Sequence, residues 1–83
     1  MRRRIEWTTK AQADVRALDR ETALRIFDGL YRYAVSGEGD VKALQGKHTG
    51  KLRLRVGDHR VVFRPSGEIL RVLNVKHRSQ AYR

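Results

Sequence analysis

The sequence predicts an α+β domain, with two N-terminal helices packed on one face of a four-stranded, mostly antiparallel sheet. Three observations carry that class. Apolar residues recur at helical spacing from Ala11 to Val35, the period changes to two from Lys51 onward, and turn residues divide the second half into three short strands. At 83 residues the chain supports a single domain, residues 1–83, with one core, and no internal repeat or interdomain linker divides it.

Taken in order, residues 2–7 (RRRIEW) alternate charged residues with Ile5 and Trp7, the pattern of a short strand with one buried face. Thr8 or Thr9 can cap a helix beginning near Lys10, in which Ala11, Val15 and Leu18 form one apolar stripe. Asp19 can cap a second helix. There Ala23, Leu24, Ile26, Phe27, Leu30, Tyr31, Ala34 and Val35 make a face wider than a lone surface helix needs, so part of it can be left for a partner. Gly37 suits the helix stop, and SGEGD reads as a loop. Val41, Ala43 and Leu44 read as a short irregular packing segment before a flexible QGKHTG.

Leu52, Leu54 and Val56 then alternate with Lys51, Arg53 and Arg55, which sends the apolar set toward the helices. A two-residue turn at Gly57-Asp58 fixes the register of the next strand. Leu54 then faces Val61 and Leu52 faces Phe63 on the buried side; Arg55 lies opposite Arg60 and Lys51 opposite Arg64 on the other. Pro65-Ser66-Gly67 reads as the second turn, pairing Arg64 with Glu68 and Phe63 with Ile69. That register puts Val72 and Lys76 on the basic face and Arg71 on the core side, which requires a bulge or a frayed edge there. Trp7, Phe27 and Phe63 read as core, and His59 as a packing residue beside Val61 and Phe63. His48 stands in a loop without an evident role.

The net charge is +10, and it is concentrated in one half. Residues 1–41 hold eight Lys or Arg and seven Asp or Glu, whereas residues 42–83 hold eleven and two. A basic half points to a polyanion, most often nucleic acid; an acidic membrane surface or an acidic protein partner fits the same sum. Like charges directly opposite on neighbouring strands are destabilising, so stability does not account for the Arg and Lys pairs. Lys and Arg also guard sheet edges, an explanation that suits one basic strand better than two facing ones. With no cysteine there is neither a disulfide nor a thiolate metal site, and the three scattered His make no convincing ligand set. No run approaches the roughly 18 apolar residues of a membrane span, so a soluble, cytoplasmic protein is expected.

The segments LRLRVGDHRVVF and LRVLNVKHRSQAY resemble the two most characteristic stretches of the RelE/ParE superfamily of bacterial toxins. In both, a basic strand leads through a Gly-containing turn to an Arg followed by apolar and aromatic residues. A final apolar strand then leads to a His-Arg pair and a Tyr. Size, element order and the Leu-Gln-Gly before the basic strand are similar too, so the resemblance covers essentially the whole chain.

It implies a RelE-like, microbial-ribonuclease-type fold and the toxin of a type II toxin–antitoxin system. RelE-like members cut mRNA in the ribosomal decoding site by attack of a 2′-hydroxyl on the adjacent phosphate, without metal or cofactor. ParE-like members act on DNA gyrase, and an inactive nucleic-acid-binding relative is a further alternative. A cognate acidic antitoxin is implied as partner, in a complex able to sit on operator DNA, besides the ribosome and mRNA.

The resemblance matches Arg60, Tyr82 and the basic strand of Lys51, Arg53 and Arg55 to the family's pattern; with the hairpin register and side-chain chemistry beside it, Arg60, His77, Tyr82 and Arg53 are the expected catalytic residues and Lys51, Arg55, Arg64, Lys76, Arg78 and Lys47 the expected RNA or phosphate contacts. The chemistry is consistent with that assignment. A guanidinium at Arg60 can hold two phosphate oxygens in a fixed fork while staying protonated. Imidazole at His77 can take or give a proton near neutrality, and Lys76 is expected to deliver it toward the basic face. Tyr82 can stack on a base or pass a proton. Arg53 stands where some relatives are thought to use a Lys as base; a side chain with a pKa of about 12 or above serves poorly as one.

Overall fold

A computed structural model describes residues 3–81. The order is β1 (Arg4–Trp7), α1 (Thr9–Arg16), α2 (Arg20–Ser36), β2 (Asp40–Ala43), a 3₁₀ turn (Gly46–His48), β3 (Leu52–Val56), β4 (His59–Ser66), β5 (Ile69–His77) and α3 (Arg78–Ala81). The sheet has five strands in the order β1-β5-β4-β3-β2, with β1 parallel to β5 and every other pair antiparallel. The class is as the sequence predicts, with one strand more. Asp40–Ala43, expected as irregular packing, pairs along its whole length with β3 and forms the sheet's second edge. None of the described helices is long and apolar enough to cross a membrane.

Both helices begin where the hydrogen-bonding residues allow. Thr8 is the first cap, its Oγ1 accepting the Ala11 N–H at 3.1 Å. Asp19 is the second, accepting the Thr22 hydroxyl at 2.6 Å and the Thr22 N–H at 3.1 Å. Gly37 ends α2 at φ 79°, a left-handed conformation suited to glycine, and its N–H returns to the Tyr33 carbonyl. Hydrogen bonds from the Thr22 hydroxyl, and then from its N–H, hold the Asp19 carboxyl below the usual carboxylate range. A lowered folded pKa contributes stability that is present above the unfolded value of about 4 and is lost as pH falls through the folded value. Asp19→Asn keeps the cap oxygen and removes the charge, so its thermal midpoint is expected to fall less steeply than the wild type's below about pH 4. Melting curves recorded from neutral pH downward test this, and parallel acid limbs would contradict it.

The helices lie on one face of the sheet. Ala11 of α1 and Ile26, Leu30 and Ala34 of α2 pack on Leu54, Val61, Phe63, Leu70, Val72 and Val75, all buried. Phe27, expected in this core, is instead 43% exposed and touches Trp7 edge-on; Leu24 and Tyr31 beside it are also exposed. The wide apolar face of α2 therefore buries only its Ile26–Leu30–Ala34 stripe.

The first hairpin has the expected register, Leu54 opposite Val61, Leu52 opposite Phe63 and Arg55 opposite Arg60. The ladder stops at Leu52, however, so Lys51 does not pair with Arg64. Its N–H goes to the His48 carbonyl and its own carbonyl takes the Leu44 N–H.

The second hairpin departs from the expected register by three residues. Pro65 and Ser66 are the last residues of β4, and Gly67-Glu68 makes the turn, so Arg64 faces Arg71 and Phe63 faces Val72. Pro65 is tolerated because β3 has already ended opposite Phe63, leaving no neighbour on that side to ask for an N–H. The bulge demanded by Arg71 is present. Val62 pairs with Asn74 and Phe63 with Val72, so Leu73 is an extra residue in β5. Leu70, Val72 and Val75 consequently all face the core, Val72 included, while Arg71 is exposed and ion-paired with Glu6.

Beyond Trp7, where β1 stops, α1 takes over the outer edge of β5. The Thr8 N–H and hydroxyl donate to the Val72 and Leu73 carbonyls, and the Asp14 carboxylate accepts the Val75 N–H at 2.9 Å.

Candidate functional site

On the helix-free face the central strands present two successive cross-strand rows. One runs Arg55–Arg60–Lys76 over β3, β4 and β5, and the next runs Arg53–Val62–Asn74. The connection from β2 to β3 rises beside them. Together they enclose a cavity of about 210 Å³ whose polar wall is Lys51, Arg53, Arg60, Lys76, His48 and Asn74, with Leu44 and Val62 as apolar surface. No carboxylate is among these lining residues.

Four cationic side chains, one each from β3, β4 and β5 and Lys51 just before β3, therefore meet at one depression. Arg53 is the deepest, only 8% exposed. The carboxylate of Asp40 at the sheet edge approaches its Nη1 to 3.7 Å, too far for a hydrogen bond, and that nitrogen is buried without a hydrogen-bond partner among the described residues. The Asn74 Oδ1, at the far end of the same row, is likewise buried without one. A charge out of water interacts more strongly with any counter-charge that reaches it. The cavity therefore presents cations from more than one side to whatever enters it.

The candidate residues divide into two groups. Arg60, Arg53, Lys51 and Lys76 line the cavity. Arg55 stands in register with Arg60 but is exposed and lines the cleft between α2 and the β2–β3 edge. Arg64 is exposed opposite Arg71, Lys47 is exposed on the 3₁₀ turn, and Arg78 sits beside Asp58 at 3.9 Å; none of these three lines the cavity. Tyr82 lies outside the described residues.

His77 is not on the basic face. β5 continues through it, so the pleat turns its side chain away from Lys76 and onto the helix side. There it pairs across the ladder with His59, ring centroids 5.2 Å apart and nearly perpendicular, in a cleft with Thr22 and Arg25 of α2. His77 Nδ1 accepts the Ser79 N–H at 3.2 Å, which places the proton of the neutral ring on Nε2. His59 takes the packing position expected of it.

Two lining residues escaped the sequence reading. Asn74 shares the parity of Lys76 and so was on the expected face, but its uncharged amide gave no reason to single it out. His48 looked like a residue of a flexible loop, yet the loop is a hydrogen-bonded turn that sets His48 against the cavity; the closeness of QGKHTG to the basic strand was the available signal.

Comparison with known proteins agrees with this architecture. A chain of the RelBE2 toxin–antitoxin complex from Mycobacterium tuberculosis superposes with a TM-score of 0.79 at 20% identity, over 93% of this chain and 99% of that one. A chain of the archaeal RelE–RelB complex from Pyrococcus horikoshii OT3 gives 0.78 at 21%, over 96% and 99%. The YoeB/ParE toxin from Agrobacterium tumefaciens gives 0.75 at 23%, over 89% and 96%. At these identities the likeness is one of fold, and the two Rel structures are complexes with antitoxins. No curated protein matches the chain by sequence. The family model for the ParE toxin of the type II toxin–antitoxin system parDE matches residues 5–82, nearly the full length, and the chain belongs to that ParE/RelE toxin family.

Proposed function

We propose that this toxin is a ribosome-dependent mRNA endonuclease, in which a 2′-hydroxyl attacks the adjacent phosphate at the cavity of β3, β4 and β5. The observation that carries the reading is the convergence of Lys51, Arg53, Arg60 and Lys76 on one concave site. The transition state is a phosphorane carrying more negative charge on its oxygens than the starting diester, and fixed cations aimed at those oxygens lower the barrier. Arg60 holds two non-bridging oxygens in its fork. Arg53 supplies charge from the floor, and Lys51 and Lys76 hold the RNA backbone on either side of the cleaved bond. A site of Arg and Lys with little acid–base apparatus gains from a substrate already oriented by the ribosome, since proximity is worth several kcal/mol. An acidic antitoxin would occupy the same cations in the inactive complex.

A translating ribosome mixture tests the reading. Adding the purified chain is expected to cut mRNA within the codon held in the decoding site while leaving gyrase supercoiling unchanged. The family model favours a second reading, inhibition of DNA gyrase without nuclease chemistry. Intact mRNA together with lost supercoiling would establish that one instead.

A further inference from the structure

Among the described residues around the cavity His48 is the one side chain of a type that ordinarily takes up and returns a proton near neutrality, the rest being Lys, Arg, Asn, Leu and Val. Its position is set by the backbone. The His48 N–H donates to the Gln45 carbonyl at 3.4 Å, its carbonyl accepts the Lys51 N–H at 3.1 Å, and the Thr49 hydroxyl closes the turn onto the Gly46 carbonyl at 2.6 Å. The imidazole is thus carried on a closed turn that opens directly into β3, where Arg53 follows.

The other two imidazoles are placed elsewhere. His59 and His77 pack on each other on the helix side, and His77 Nδ1 is engaged by Ser79. For a reaction at this cavity that begins by removing a hydroxyl proton, His48 is the acceptor among the described lining residues whose type is ordinarily part-neutral near pH 7, where Lys51 and Lys76 are of a type ordinarily charged.

We propose that His48 is the general base of the cleavage reaction, an assignment that rests on the ribonuclease reading of the same cavity. Neutral imidazole takes the proton of the 2′-hydroxyl as the 2′-oxygen bonds to phosphorus. The bond from phosphorus to the 5′-oxygen breaks, and that oxygen takes a proton from a cavity ammonium group, Lys51 or Lys76. The products are a 2′,3′-cyclic phosphate and a 5′-hydroxyl. The imidazolium then returns its proton to solvent and the ammonium recovers one, so the enzyme ends as it began.

The test is single-turnover cleavage on ribosomes programmed with one mRNA, followed from about pH 5 to pH 8. His48→Gln is expected to cut about 10²- to 10⁴-fold more slowly near neutrality, to bind ribosomes as the wild type does, and to lose the acid limb of the pH–rate profile. In His48→Ala, added imidazole is expected to restore part of the rate. His48 is exposed on a turn, so both variants should melt with the wild type. His48→Gln cutting at the wild-type rate with its acid limb intact would overturn the assignment and leave the cavity reading standing. A slow His48→Gln that keeps the acid limb, with no imidazole rescue, would also overturn it. A wild type that leaves ribosome-bound mRNA uncut overturns the ribonuclease reading, and this assignment with it.

Discussion

Arg60→Ala is expected to slow mRNA cleavage on the ribosome by about 10²- to 10³-fold, the usual cost of removing one donor aimed at a developing oxyanion. Arg60 is central to the site in a literal sense: it lies between Arg55 and Lys76 in the row across the sheet and faces the cavity that Arg53 floors. Its guanidinium presents two parallel donors to a phosphate, a geometry an ammonium cannot copy. Arg60→Lys should therefore recover only part of the loss. Arg64→Ala is the matched control, since Arg64 lies four residues on in the same strand but is exposed and away from the cavity; its rate should stay within about twofold of the wild type. Single-turnover cleavage compares the three, with circular dichroism to confirm folding. Equal rates for Arg60→Ala and the wild type would remove this cavity from consideration as the reaction site.

The second large effect belongs to the core. Phe63 is fully buried, faces Leu52 and Val72 on the neighbouring strands and packs against the Tyr33 ring at 5.4 Å. Phe63→Ala is expected to cost about 3–5 kcal/mol through lost transfer energy and the cavity left behind. A chain of this length has a total stability of about 4–12 kcal/mol, so the substitution removes a quarter or more of it and, at the low end of that range, unfolds the chain before any denaturant is added. Urea titration followed by far-UV circular dichroism measures it. A loss below about 1 kcal/mol would show that this part of the core collapses around the gap.

What could be read in the sequence followed local chemistry closely. Thr8, Asp19 and Gly37 mark helix ends because their side chains or conformational freedom act within a few residues. The Gly57-Asp58 turn set the first hairpin's register because two residues leave the strands no choice. Failures came where long-range pairing overrides local preference. Asp40–Ala43 is short and mixed in character, and it is a strand because β3 offers an edge. Pro65 looks like a turn residue, yet its neighbour strand has ended, which no local pattern reveals.

The same holds for the site. Arg60, Arg53, Lys51 and Lys76 were legible from alternation along the strands. His77 was misplaced because the sequence does not mark where β5 ends; one further residue of pleat carries the ring through the sheet to the other side. His48 was set aside as a loop residue because the hydrogen bonds that close its turn, mostly backbone with one from the Thr49 hydroxyl, leave no periodic pattern to read.

The extra residue at Leu73 ties the two faces together by count rather than by chemistry. Before it, alternation has sent Leu70 and Val72 to the helices; after it, Val75 goes to the helices while Asn74 and Lys76 go to the cavity. Deleting that single residue would restore strict alternation and leave each later side chain on its present face, whereas inserting one further residue after it would bring Asn74 and Lys76 under the helices and turn Val75 out. A point substitution of the half-buried Leu73 leaves the parity of the strand unchanged. The parity of the pleat after Val72 is therefore what the core and the basic cavity share, since one residue too many there would exchange their side chains.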